Sequence, residues 1–118
     1  MNKIIAIPMD NGVLSQHFGH CETFYLASIN GNSVVKEWYV TTPAHEPGLY
    51  PIWLKEQGVD IVIAGGMGKK AYDLFIQNGI EVHTGAESQT PQLAVKAFLE
   101  NTIHFSNSIC ENHMHTCE

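Results

Sequence analysis

The chain has 118 residues, 44% of them hydrophobic and only 15% charged, with a net charge of −6. This is one domain's length of sequence, with enough apolar material to bury a core. All six basic residues are lysines; the lack of arginine argues against nucleic-acid binding, which draws on bidentate arginine, and against a polybasic membrane-binding surface.

No apolar run reaches the ~18 residues needed to cross a bilayer. The chain opens on a strand-like segment, so no signal peptide is expected. The cysteines are Cys21, Cys110 and Cys117. An odd number in a chain without a signal fits a reducing cytoplasm, where thiols ligate metals or react.

In chain order, residues 2–9 predict a first strand, carrying Ile4, Ile5 and Ile7. Its continuous apolar character places it centrally, covered on both faces. Asp10-Asn11-Gly12 predicts a turn. Next comes Gln16-His17-Phe18-Gly19-His20-Cys21-Glu22-Thr23-Phe24, with two histidines and a cysteine inside five positions. Lying between two strands, this loop is a place where borderline and soft ligands can converge on a metal or cluster. The plainer alternative is a β-turn held by Gly19 with exposed histidines.

An alternating second strand is expected over 23–29, a reversal at Asn30-Gly31-Asn32, and a third strand over 33–40. The proline-marked stretch 41–51 predicts a loop, whose His45 and Glu46 suit a solvated position. A short helix over 50–57 stops at Gly58. Residues 60–64 predict a buried fourth strand. Gly65-Gly66-Met67-Gly68 then opens a helix over 68–78, with Ala71, Leu74 and Phe75 on one face. A fifth strand follows at 80–83. Pro91 fits the first turn of a last helix reaching residue 100, with Leu93, Ala94, Ala97 and Phe98 as its apolar stripe.

Beyond Asn101 the apolar periodicity stops. The sequence divides into an α/β domain over 1–100 and a Cys/His-rich tail over 101–118. Cys110-x2-His113-x-His115-x-Cys117 offers four metal ligands, although not at zinc-finger spacing. The alternative is a disordered tail binding metal adventitiously.

A leading hairpin followed by βα units implies a mixed five-stranded α/β sheet flanked by helices. The expected order is third, second, first, fourth, fifth, with the second strand antiparallel to the rest. Ligands of open α/β sheets bind beyond the carboxyl ends of the strands, where the connections diverge. Here the His17–Cys21 loop, the Gly65–Gly68 loop and the loop after His83 meet at that edge. The three glycines admit close backbone approach, and the helix they open favours an anion at its N-terminus, beside Lys69 and Lys70. The spacing is not that of a Walker A loop. No Ser/His/Asp set or paired carboxylates indicate an enzyme.

His-Phe-Gly-His-Cys-Glu-Thr-Phe, together with Asp-Ile-Val-Ile-Ala-Gly-Gly-Met-Gly-Lys-Lys-Ala-Tyr-Asp-Leu-Phe, resembles the dinitrogenase iron–molybdenum cofactor-binding family. That group includes NifX, NafY and the C-terminal domain of many NifB proteins, and the resemblance covers roughly residues 1–100. It implies a ribonuclease-H-like fold without nuclease activity. It also implies a non-enzymatic carrier of iron–molybdenum cofactor or an iron–sulfur precursor, exchanging it with donor and acceptor proteins, in a role related to nitrogen fixation. His17, Phe18, Gly19, His20 and Cys21 would form the cluster-facing loop, and Gly65, Gly66, Met67 and Gly68 the adjoining one. Metal ligands would come from His17, His20 and Cys21. The tail, outside the shared core, adds Cys110, His113, His115 and Cys117, for the cluster or for zinc or another metal. Two other readings stay open: a nucleotide- or phosphate-binding regulator or enzyme using Gly65–Gly68, and a zinc-binding interaction module acting through the tail.

Overall fold

The computed structural model describes residues 2–16, 23–42 and 49–100, and the backbone of 109–110. The first strand, β1 (Lys3–Asp10), lies in the middle of a mixed sheet. On one side it pairs antiparallel with β3 (Thr23–Asn30), which pairs antiparallel with the edge strand β4 (Ser33–Thr41). On the other it pairs parallel with β5 (Ile61–Ile63), which pairs parallel with β7 (Glu81–His83). The order is therefore β4-β3-β1-β5-β7. This is a mixed α/β sheet with helices on its faces.

Alternation along β1 divides the core in two. Ala6 faces a layer with Phe24, Leu26 and Val62, covered by Tyr50 and Leu54 of α1 (Leu49–Glu56) and Phe75 of α2 (Lys69–Gln77). Ile5, Ile7 and Met9 face the opposite layer with Tyr25, Ile61 and Ile63, covered by Ala94 and Val95 of α3 (Pro91–Leu99). Among the described residues, two helices thus cover one face and a single helix the other.

Several sequence expectations change. β3 does not alternate in burial: Phe24, Tyr25, Leu26 and Ala27 are all buried, because β1, β4 and both helical layers enclose it. In α3, Leu93 points outward at 58% exposure, and the inward stripe is Pro91, Ala94, Val95, Phe98 and Leu99. In α2, Leu74 is only partly covered, and Ala71, Tyr72 and Phe75 make the packing face. Three two-residue strands escape periodicity altogether: β2 (Val13–Leu14), β6 (Met67–Gly68) and β8 (Ile109–Cys110).

Of these, β2 is the return arm of a tight hairpin on β1, pairing Asp10 with Val13 and Met9 with Leu14. Asn11 (φ 54°) and Gly12 (φ 82°) form the turn. Both lie in the left-handed region that a two-residue Asn-Gly hairpin requires. Met9 is consequently flanked by Leu14 on one side and Thr23 on the other. The His17–Cys21 loop and residues 43–48, with His45 and Glu46, lie outside the described residues. No helix among the described residues is long and apolar enough to cross a membrane.

Candidate functional site

The parallel strands β1, β5 and β7 end at one rim, and Gln16 ties its loops together. Its carbonyl accepts a hydrogen bond from the Gly66 N–H at 3.0 Å. Its side-chain amide donates to the Ala86 carbonyl at 3.0 Å and to Ser88 Oγ at 3.3 Å. The Ser88 hydroxyl donates to the Leu14 carbonyl at 3.0 Å, and the Leu14 N–H donates to the Gln89 carbonyl at 2.9 Å. Gly85 and Ala86 donate backbone bonds to Gly65 and Ala64, at 2.7 and 3.1 Å. Three segments far apart in sequence are thereby locked into one surface. Buried backbone polar groups must find partners, and here they find each other.

Gly65 is required by this packing. A Cβ placed on it would lie 2.6 Å from Gln16 Nε2 and 2.9 Å from the Ser15 carbonyl oxygen. Gly65 and Gly66 are buried, and Gly68 is partly exposed. The Gly66 N–H is already bonded to the Gln16 carbonyl, so it is not a free donor for a ligand. Met67 is fully buried and belongs to the core under α1 and α2.

The glycine stretch ends in a short strand, β6, before α2 starts at Lys69. Gly68 is the N-cap residue, and no side chain caps the helix. The first turn has no acidic residue, and its Lys69 and Lys70 are exposed. Lys69 pairs with Asp73 at 3.4 Å, a half-exposed contact of small energetic weight. Positive charge is therefore concentrated at this end of an otherwise acidic chain, and the helix dipole adds to it.

The backbone of β8 lies against the same stretch. β6 and β8 are parallel, with Met67 opposite Ile109 and Gly68 opposite Cys110. At the far side of the rim, His83 pairs with Glu81 and sets its ring edge against Phe98, with centroids 5.1 Å apart.

The structure thus brings together Gly65, Gly66, Met67, Gly68 and the backbone of Cys110. It also places Gln16, the residue before His17, in contact with them. His17, Phe18, Gly19, His20, Cys21, His113, His115 and Cys117 lie outside the described residues. Among the described residues no group of three or more His, Cys, Asp or Glu is arranged to hold a metal ion. Sequence reasoning gave Gln16 no role. The only signal was its position, as a long amide between the first strand and the histidine loop.

Comparison with known proteins agrees with this architecture. The crystal structure of PH0822 superposes with a TM-score of 0.82 at 30% identity, covering 88% of this chain and 95% of that one. The apo form of the orange protein from Desulfovibrio gigas gives 0.71 at 23% identity, covering 90% and 94%, a likeness of fold. The uncharacterized protein MJ0580 of Methanocaldococcus jannaschii is 31% identical over 105 residues, 84% of this chain and 87% of its own length. A family model described as "Dinitrogenase iron-molybdenum cofactor" matches residues 1–101. Matched over residues 1–101, the chain belongs to the dinitrogenase iron–molybdenum cofactor family.

Proposed function

We propose that this protein is a non-enzymatic carrier that holds an anionic metal–sulfur cluster, of iron–molybdenum or iron–sulfur type, at the carboxyl rim of its sheet. Family membership supports cofactor binding in general. The observation that supports the specific reading is the Gln16 junction, which bonds the residue preceding His17 to the glycine stretch that leads into the lysine-bearing start of α2. In this reading Cys21 is the thiolate ligand, with His17 or His20 as imidazole partner, because iron–sulfur species favour thiolate. Phe18 and Gly19 shape the loop. Gly65 and Gly66 let Gln16 pack closely beneath the rim, while partly exposed Gly68, Lys69, Lys70 and the start of α2 face the cluster and offset its negative charge.

A site built from loops on a rigid sheet suits exchange with donor and acceptor proteins in the cytoplasm. The ribonuclease-H-like label for the sheet belongs to the same proposal. A phosphate-binding role for the glycine stretch has less support, since the Gly66 N–H is already committed to Gln16.

Anaerobic reconstitution with iron and sulfide tests the reading. The unsubstituted chain should turn brown, and Cys21→Ser combined with His17→Ala should take up no cluster by iron analysis and visible absorbance. Retention of the full spectrum by that variant would remove the His17–Cys21 loop from the site. A colourless protein whose melting temperature rises with nucleotide would favour the phosphate reading.

A further inference from the structure

The sheet is wider than the one helix on its α3 face. Five strands about 4.8 Å apart span about 19 Å, whereas a helix with its side chains is about 10–12 Å across. Ala94 and Val95 of α3 join the layer of Ile5, Ile7, Tyr25, Ile61 and Ile63. The edge strand β4 is left to one side, and an open groove of about 470 Å³ lies between it and α3. That volume falls in the range of small-ligand sites.

The charges in the groove are ordered. In the β3–β4 ladder Tyr25 stands opposite Tyr39 and Ala27 opposite Glu37, which makes Glu37 a diagonal neighbour of Tyr25. The Tyr25 hydroxyl and the Gln92 amide both donate to Glu37 Oε1, at 2.9 and 3.2 Å. The carboxylate is thereby held in place, while Oε2 takes no hydrogen bond among the described residues. Lys96 follows Gln92 by four residues and Glu100 follows Lys96 by four, so the three line one side of α3 about 6 Å apart. Neither Lys96 nor Glu100 forms an ion pair among the described residues. Val34, Val95 and Leu99 supply apolar surface. Asn32, in the β3–β4 turn, lines the end near the start of β1, where Ile29 pairs with Lys3, away from the carboxyl rim.

We propose that this groove binds a zwitterion with an apolar side chain, of the α-amino acid class. Glu37 receives the ammonium group and Lys96 the carboxylate, one helical turn further along α3. Two charge-assisted hydrogen bonds of about 2.8 Å, with an α-amino group and its carboxylate between them, cover a gap of that order, and the flexible Lys96 stem takes up the remainder. The ligand's side chain lies along Val34, Val95 and Leu99. A simple cation would leave Lys96 opposed to it, and a simple anion would meet the anchored Glu37; only a molecule carrying both charges satisfies both residues. The site is separate from the carboxyl rim, and the proposal stands apart from the carrier reading.

Calorimetric titration of the full-length chain with L-valine, L-leucine, L-methionine and L-phenylalanine is the test. At least one should bind once per chain with a Kd of about 1 mM or lower. The amine and the carboxylic acid that share the best binder's side chain (for leucine, 3-methylbutylamine and 4-methylpentanoate) should each bind at least about tenfold more weakly. Lys96→Gln should erase the preference over the amine, and Glu37→Gln the preference over the acid. Lys96 is exposed, so its variant decides the matter whatever Glu37→Gln does to folding. Backbone amide NMR shifts on titration should centre on Asn32, Val34, Val95 and Leu99. No binding by any of the four up to about 10 mM, equal binding of the amine, unchanged binding in Lys96→Gln, or shifts centred on Gly65–Gly68 would each overturn the proposal.

Discussion

At the scale of single residues, Gly65 and Gln16 show how little room the rim leaves. A methyl group at position 65 meets the Gln16 amide and the Ser15 backbone oxygen together. The amide can swing away, but the backbone oxygen cannot move without disturbing β2. Gly65→Ala should therefore destabilise the protein by about 1–3 kcal/mol, the range for overpacking a tight site. Gln16→Ala in the same chain should restore only part of that loss. Urea unfolding of the single and double variants measures both, and full rescue by Gln16→Ala would show that the backbone contact is unimportant. None of this was legible in the sequence. Gly65 read as a ligand-cradling glycine, and the partner that demands it lies 49 positions away. Gln16 read as a neutral neighbour of the histidines, because its value comes from Ala86 and Ser88, residues that reach it only after folding.

At the scale of elements, β3, β4 and α3 are joined by a polar bridge on the face covered by one helix. The Tyr25 hydroxyl donates to Glu37 Oε1 at 2.9 Å, and the Gln92 amide donates to the same oxygen at 3.2 Å. These groups border an open groove of about 470 Å³ between β4 and α3, which Val34 and Leu99 also line. Burial, reinforced by the hydrogen bond and negative charge of Glu37, raises the Tyr25 pKa well above the usual tyrosine value. The sign follows from linkage. Below the unfolded pKa of about 10 the phenol is neutral in both states and contributes no pH dependence. Above it, the unfolded chain loses the proton while the folded one keeps it, so stability falls as pH rises. Melting temperature should drop more steeply above about pH 10 in the wild type than in Tyr25→Phe. Parallel curves for the two proteins would mean that Tyr25 is not the group responsible.

The longer elements were readable from the residues that build them. β1 announced its central position through unbroken isoleucine character, and α1 its end through Gly58. The misreadings have physical origins. In α3 two stripes compete, one through Leu93 and Ala97, the other through Pro91, Val95 and Leu99, and both share Ala94 and Phe98. Periodicity does not choose between faces one step apart; packing against Ile5, Ile7 and Tyr25 does. β2, β6 and β8 are too short to carry any period, and among the described residues β8 is defined by its pairing with β6 alone.

At the scale of the whole molecule, both core clusters are complete by Leu99 among the described residues. The backbone pairing of Ile109 and Cys110 adds only a small ladder at the rim. Deleting residues 101–118 should therefore leave a folded domain that loses about 1 kcal/mol or less, equivalent to a fall of roughly 4–8 °C at most. A collapse of the thermal transition would show that the tail is part of the core. One of the two outer strands, β4, is protected in a different way. Its register slips at Ser28/Ile29, and Lys36 sits over the Trp38 ring at 5.3 Å. An irregular, charged edge resists pairing with another chain.

The flanking of Met9 by Leu14 and Thr23 has a consequence for how such a protein can diversify. Neighbouring strands lie about 4.8 Å apart, so these two stems stand roughly 10 Å from each other across the end of β1. One is fastened by Ser88 and Gln89, the other by the ladders to β1 and β4. Residues 17–22 are thus inserted between two clamps that do not depend on what the insert contains. Replacing that segment should therefore leave both clamps, and the frame they belong to, in place.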